Sequence, residues 1–139
     1  MSAALELLDP PKPSLSPLAL AEQVENGLPI AALDELARTL APDDPNFVYR
    51  LVPRATLARR RAHPGARLTV DEGARVTRLA AVWSLAKQVW KDDDAARRFL
   101  FKPHMLLDGR RSIDVVLGSE FGRPAVEQIL GGLLYGTGI

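Results

Sequence analysis

The chain has 139 residues, a formal net charge of +1, 47% hydrophobic residues and 25% charged residues, enough for one compact core or two small subdomains. It contains no cysteine, which excludes disulfides, thiolate metal sites and cysteine nucleophiles. No apolar run approaches the roughly 18 residues of a membrane span, and the start lacks a basic region followed by an apolar core, so a soluble, cytoplasmic protein without a membrane partner is expected.

Residues 1–15 include Asp9-Pro10-Pro11-Lys12-Pro13-Ser14. Three prolines remove backbone donors and bias their predecessors toward extended conformations, so this stretch is expected to be a flexible arm. Ser16-Pro17 is an N-cap followed by proline at the first helical position. Leu18, Ala21 and Val24 follow at helical spacing, and Gly27 ends the turn. A second helix is predicted from about Pro29, with Ile30, Leu33, Leu36, Ala37 and Leu40 on one stripe and Pro42 as its stop. Asp44-Pro45 repeats the cap-plus-proline signal, predicting a short helix with Phe47, Val48 and Leu51 that breaks ahead of Pro53.

The segment that follows is the most informative of the chain. Arg50, Arg54, Arg59, Arg60 and Arg61 lie close together with no acid among them, in a protein of nearly zero net charge. Such a local patch releases counterions from a polyanion where the whole molecule would not attract one. Two short helices joined by a tight break, with basic residues on the second and Leu57 facing inward, read as a helix-turn-helix. Arg54 and Thr56, near the helix start, are then candidates for base edges or flanking phosphate. Arg59, Arg60 and Arg61, with Arg50 before the break, suit backbone phosphates. The Val52-Pro53 corner lacks the glycine common at such turns, and His63-Pro64-Gly65 closes the unit.

Thr69-Val70-Asp71-Glu72 is a capping box, opening a long helix to about Trp90. Its apolar stripe of Val76, Leu79, Ala80, Trp83, Ala86 and Trp90 is widened by Val82, Leu85 and Val89, enough for two contacts. Trp83 and Trp90 are about two turns apart and project from one side, as core or dimer packing. Asp92-Asp93-Asp94 precedes a helix over residues 95–101, where acids suit the positive end. Lys102-Pro103 stops it. Ser112 is expected to cap a short helix with Ile113, Val115, Val116 and Leu117, Gly122 breaks the chain, and Pro124 opens a last helix with Val126, Ile129, Leu130, Leu133 and Leu134. The tail Gly136-Thr137-Gly138-Ile139 has no strand before it and no lysine after it, as a phosphate loop would require, and reads as a mobile end.

No strand or repeat is evident, and the expected fold class is all-α. His63 and His104 each sit beside a proline without a ligand pair or HExxH spacing, and read as surface residues. With the aspartates explained as helix-start acids, no metal, cofactor or catalytic residue is expected.

The break and helix Leu51-Val52-Pro53-Arg54-Ala55-Thr56-Leu57-Ala58-Arg59-Arg60, the element Leu68-Thr69-Val70-Asp71-Glu72 and the block from Leu107 to Tyr135 resemble the Xre/MbcA/ParS antitoxins, partners of RES-domain toxins. The block carries Gly109-Arg110-Arg111-Ser112-Ile113-Asp114-Val115-Val116 and Gly122-Arg123-Pro124-Ala125-Val126-Glu127-Gln128-Ile129-Leu130, similar to the family's glycine, polar pair, short helix, glycine break and last helix. Serine stands at 112 where the family commonly has proline or threonine.

The resemblance covers roughly residues 17–139, leaving the proline-rich arm of residues 1–15 outside it, and implies an Xre-like helix-turn-helix domain over 16–66 and a toxin-binding domain over 67–139. It implies an operator-binding repressor of its own operon whose partner toxin degrades NAD or uses it for ADP-ribosylation. The last helix and tail would cover the toxin's NAD pocket, making Leu130, Leu133, Leu134, Tyr135, Thr137 and Ile139 the toxin-binding candidates. Apolar residues ahead of glycine-spaced backbone suit entry into a groove by exclusion, without chemistry of their own. A homodimer within a hetero-oligomeric complex is expected, since helix-turn-helix proteins read half-sites in pairs. The alternative is a stand-alone helix-turn-helix regulator or partition-site DNA-binding protein.

Overall fold

The computed structural model describes residues 16–136; the expected arm and the candidates Thr137 and Ile139 lie outside them. Among the described residues there are seven α-helices: α1 (Pro17–Asn26), α2 (Ile30–Leu40), α3 (Arg54–Arg61), α4 (Val70–Trp90), α5 (Asp93–Phe101), α6 (Ser112–Gly118) and α7 (Gly122–Tyr135). The chain divides into two compact units, one ending at Thr77 and the other beginning at Arg78. The division falls inside α4.

In the first unit the expected punctuation operates as chemistry. The Ser16 hydroxyl accepts the Ala19 N–H at 3.1 Å, and Gly27 leaves α1 at φ 91°. Gly27 also sits against Arg67, whose Cβ would lie 3.0 Å from a side-chain carbon built there. The adjoining backbone is tied by Leu68 N–H to Leu28 C=O at 2.9 Å and by Arg67 Nη1 to Gly27 C=O at 2.8 Å. Helix α2 buries Ala32, Leu33, Leu36, Ala37 and Leu40, one wide stripe at helical spacing.

The short helix expected before the break is a single 3-10 turn, Phe47–Arg50, packed on α2. Pro45 and the Asp44 carboxylate, which accepts the Asn46 N–H at 2.9 Å, make a side-chain turn that competes with helix propagation. Phe47, Val48, Leu51 and Val52 are all buried, so this turn anchors the chain just before α3. The capping box of α4 forms reciprocally: Thr69 N–H donates to Glu72 Oε1 at 2.9 Å and Glu72 N–H to Thr69 Oγ1 at 3.2 Å.

In the second unit Asp92 caps α5 by accepting the Ala95 N–H at 2.8 Å. A small antiparallel hairpin follows that the sequence reading did not anticipate: β1 (Pro103–His104) pairs with β2 (Arg110–Arg111), Pro103 opposite Arg111. Asp108 and Gly109, at φ 57° and 80°, make its turn. Helix α6 packs on α5 and, most extensively, on α7. Ser112 does not cap α6; it is fully buried as the first helical residue, and Arg111 occupies the cap position. Arg111 pairs bidentately with Asp114 at 2.7 and 3.0 Å, so a charged pair closes the helix start in place of the hydroxyl. Helix α7 begins at Gly122, two residues before the expected Pro124. A side-chain carbon at Gly122 would lie 1.8 Å from the Val115 carbonyl oxygen, so only glycine lets α7 approach α6 this closely.

Candidate functional sites

Helix α3 rests on one buried side chain, Leu57, with Arg54, Ala55, Ala58 and Arg59 exposed and Thr56 half-buried. Its arginines divide into two sets. Arg61 donates to both Asp34 carboxylate oxygens, at 2.7 and 2.9 Å. The hydrogen bond to Asp34 raises its pKa further from an already high value, over the opposing effect of burial. Arg60 pairs with the Glu72 carboxylate. Burial pushes the Glu72 carboxyl up, but the hydrogen bonds from Arg60 and Thr69 outweigh it and hold it below its ordinary value. These acids come from α2 and α4, so the absence of Asp and Glu within the arginine run did not predict compensation.

Arg54 is held differently. Its guanidinium lies over the Tyr49 ring with Cζ 4.0 Å from the centroid, and Nη2 donates to Asn46 Oδ1 at 3.2 Å. Arg50 is over the Phe47 ring at 5.9 Å. Arg59 is exposed, and its carbonyl accepts a hydrogen bond from His63 Nδ1 at 3.0 Å. The cationic face of α3 is thus carried by Arg54 and Arg59, with Arg50 beside the preceding turn.

In the second unit α7 sorts the expected toxin-binding residues by burial. Leu130 is fully buried, Leu134 half-buried, Leu133 46% exposed and Tyr135 78% exposed. Gly136 caps the helix in the left-handed conformation at φ 66°, its N–H donating to the Gly132 carbonyl. Leu133 also lines a cavity of 530 Å³ with Trp90, Phe99, Pro103, His104 and Met105. Phe99 is central to it, with its ring 5.9 Å from Trp90 and 5.8 Å from His104.

Sequence reasoning missed this groove. His104, expected to be a surface residue, is half-buried and accepts the Leu106 N–H at Nδ1, 3.1 Å, which fixes the 3-10 turn Met105–Leu107 displaying Met105 at 87% exposure. The residues that build the groove come from α4, α5, β1, the 3-10 turn and α7, and no spacing in the sequence signalled it. Arg98 and Lys102 stand on its rim, while the neighbouring Asp93 and Asp94 are engaged by Lys87 and Arg97. Its chemistry suits an apolar or aromatic side chain flanked by acids.

The first unit thus carries a basic helix and the second an apolar groove. Residues 19–81 match the family model of the antitoxin Xre-like helix-turn-helix domain, and residues 85–136 match that of the antitoxin Xre/MbcA/ParS C-terminal toxin-binding domain. The chain belongs to the Xre/MbcA/ParS antitoxins of toxin-antitoxin systems, with a DNA-binding helix-turn-helix domain followed by a toxin-binding domain. A search of curated proteins finds no match to it. Among the described residues no helix is long and apolar enough to cross a membrane.

Proposed function

We propose that this antitoxin neutralises a RES-domain toxin, one that degrades NAD or transfers ADP-ribose from it, by covering the NAD pocket with α7 and the tail that follows. The observation that carries this reading is the end of α7. Leu133 and Tyr135 are exposed, Leu133 borders an apolar groove, and Gly136 turns the chain out of the helix within the matched toxin-binding region. Leu133, Leu134, Tyr135, Thr137 and Ile139 make the contacts, and Leu130 supports the helix from inside. Blocking by occupation needs no catalytic group on the antitoxin.

The same protein represses its own operon through α3. Arg54 and Thr56 lie toward the bases and Arg50 and Arg59 toward phosphates, while Arg60 and Arg61 brace the helix through Glu72 and Asp34. A homodimer supplies the paired half-site contacts within a hetero-oligomeric complex, and the work is done in the cytoplasm. The test is cellular NAD during expression of the neighbouring toxin-like reading frame. The full chain should restore NAD and growth, and a Leu133→Asp/Tyr135→Ala variant should not. No rescue by the full chain, with sequence-specific DNA binding retained, would favour the stand-alone regulator.

A further inference from the structure

Tyr49, Arg54 and Asn46 form an arrangement that charge attraction alone does not require. The Tyr49–Arg54 stack at 4.0 Å is much closer than the 5.9 Å of Arg50 over Phe47. Its supports are themselves fixed. Asn46 donates its N–H to Asp44 Oδ1 at 2.9 Å and accepts the Tyr49 N–H on its carbonyl at 3.0 Å. Tyr49 is half-buried in a turn in which Phe47 and Val48 are interior and Arg50 is exposed. The guanidinium thus has one face covered and one N–H engaged by Asn46. The rest of its planar fork has no partner among the described residues.

A held, planar, doubly donating group matches the guanine O6/N7 edge as well as a phosphate, whereas a side chain free to swing can meet a phosphate but offers no fixed fork to a base. Arg59, exposed on the same helix without such supports, has the second character. Position agrees: Arg54 is the first residue of α3, and residues at the start of a recognition helix reach base edges.

We infer that Arg54 is a base-reading residue, recognising a guanine in the major groove, and that Tyr49 and Asn46 are positioning residues that set its fork. The inference rests on the reading of α3 as the DNA-facing helix. Discrimination for guanine at one position per half-site comes from this trio, and Arg59 adds affinity without preference.

The test is selection by the full chain from a pool of DNA duplexes with a randomised centre, comparing the wild type with Arg54→Ala, Tyr49→Phe, Tyr49→Ala, Asn46→Ala and Arg59→Ala. The wild type and Tyr49→Phe should enrich the same guanine. In Arg54→Ala and Tyr49→Ala discrimination at that position should fall by roughly tenfold to a hundredfold while the other positions persist. Should Tyr49→Ala unfold, as thermal melting would reveal, the exposed Asn46→Ala carries the same comparison with a smaller fall. Equal weakening of Arg54→Ala on all sequences makes Arg54 a phosphate contact and overturns the inference, leaving the DNA-facing reading of α3 intact. An unchanged guanine preference in Tyr49→Ala and Asn46→Ala overturns the positioning role. Wild-type affinity and preference in Arg54→Ala, or no DNA binding by the wild type, removes the reading of α3 itself.

Discussion

The Arg60 guanidinium meets the Glu72 carboxylate that already closes the capping box of α4 with Thr69. One acid therefore terminates a helix and ties down the end of another. Arg60→Ala is expected to destabilise the first unit by about 1–2 kcal/mol, as loss of a partly buried charged hydrogen bond, without changing DNA sequence preference. Urea unfolding beside the duplex selection checks both halves.

The same pair sets an acid dependence. Because the folded pKa of Glu72 lies below its ordinary value of 4.5, its stabilisation is complete above that value and is lost as pH falls through the lower folded one. Melting temperatures measured from about pH 6 to pH 3 should fall less steeply in Glu72→Gln than in the wild type. The variant starts lower at neutral pH, having lost the charged partner of Arg60.

Gly122→Ala is expected to be among the most damaging single-methyl changes in the chain. The added carbon would meet a backbone oxygen rather than a flexible side chain, so α6 and α7 must separate, at about 3 kcal/mol. Gly131, where nothing lies near an added carbon, is the control: alanine there should stabilise α7 by up to about 1 kcal/mol through helix propensity. Chemical denaturation of both variants distinguishes the two.

For the groove, Leu133→Asp should weaken toxin binding by about 2 kcal/mol or more, roughly thirtyfold, as for a buried anchor at an interface. Lys102→Glu should instead act mainly on the association rate and its salt dependence, the behaviour of a rim charge. Titration calorimetry and stopped-flow mixing with the purified toxin read the two effects. DNA binding should be untouched in either variant.

Arg59→Ala should reduce affinity for all duplexes alike and flatten the slope of log affinity against log salt by about 0.9. Fluorescence anisotropy over a range of salt concentrations measures that slope.

Local chemistry was largely legible in the chain. Ser16, Thr69 and Asp92 cap where their hydroxyl or carboxylate precedes a helical stripe, because the cap is a bond over three residues. What escaped was short or distant. Two-residue strands carry no alternation to read, so β1 and β2 gave no signal. Ser112 has the right chemistry for a cap, but the Arg111–Asp114 pair one residue earlier settles the helix start and sends the hydroxyl inside. Arg61 finds Asp34 across the fold, and no spacing rule joins residues of α3 to those of α2. The groove at Phe99 is assembled from five elements, none of which shows it alone.

The chain has two tryptophans, and their surroundings differ sharply. Trp83 is sealed in the interior with no hydrogen-bond partner for its indole nitrogen among the described residues, while Trp90 is 40% exposed and lies tilted against Phe99 at the groove. The protein therefore carries its own spectroscopic reference and its own sensor. Emission from Trp83 should stay blue-shifted and steady, whereas emission from Trp90 should shift when a partner displaces water from the groove, so binding can be followed without any label.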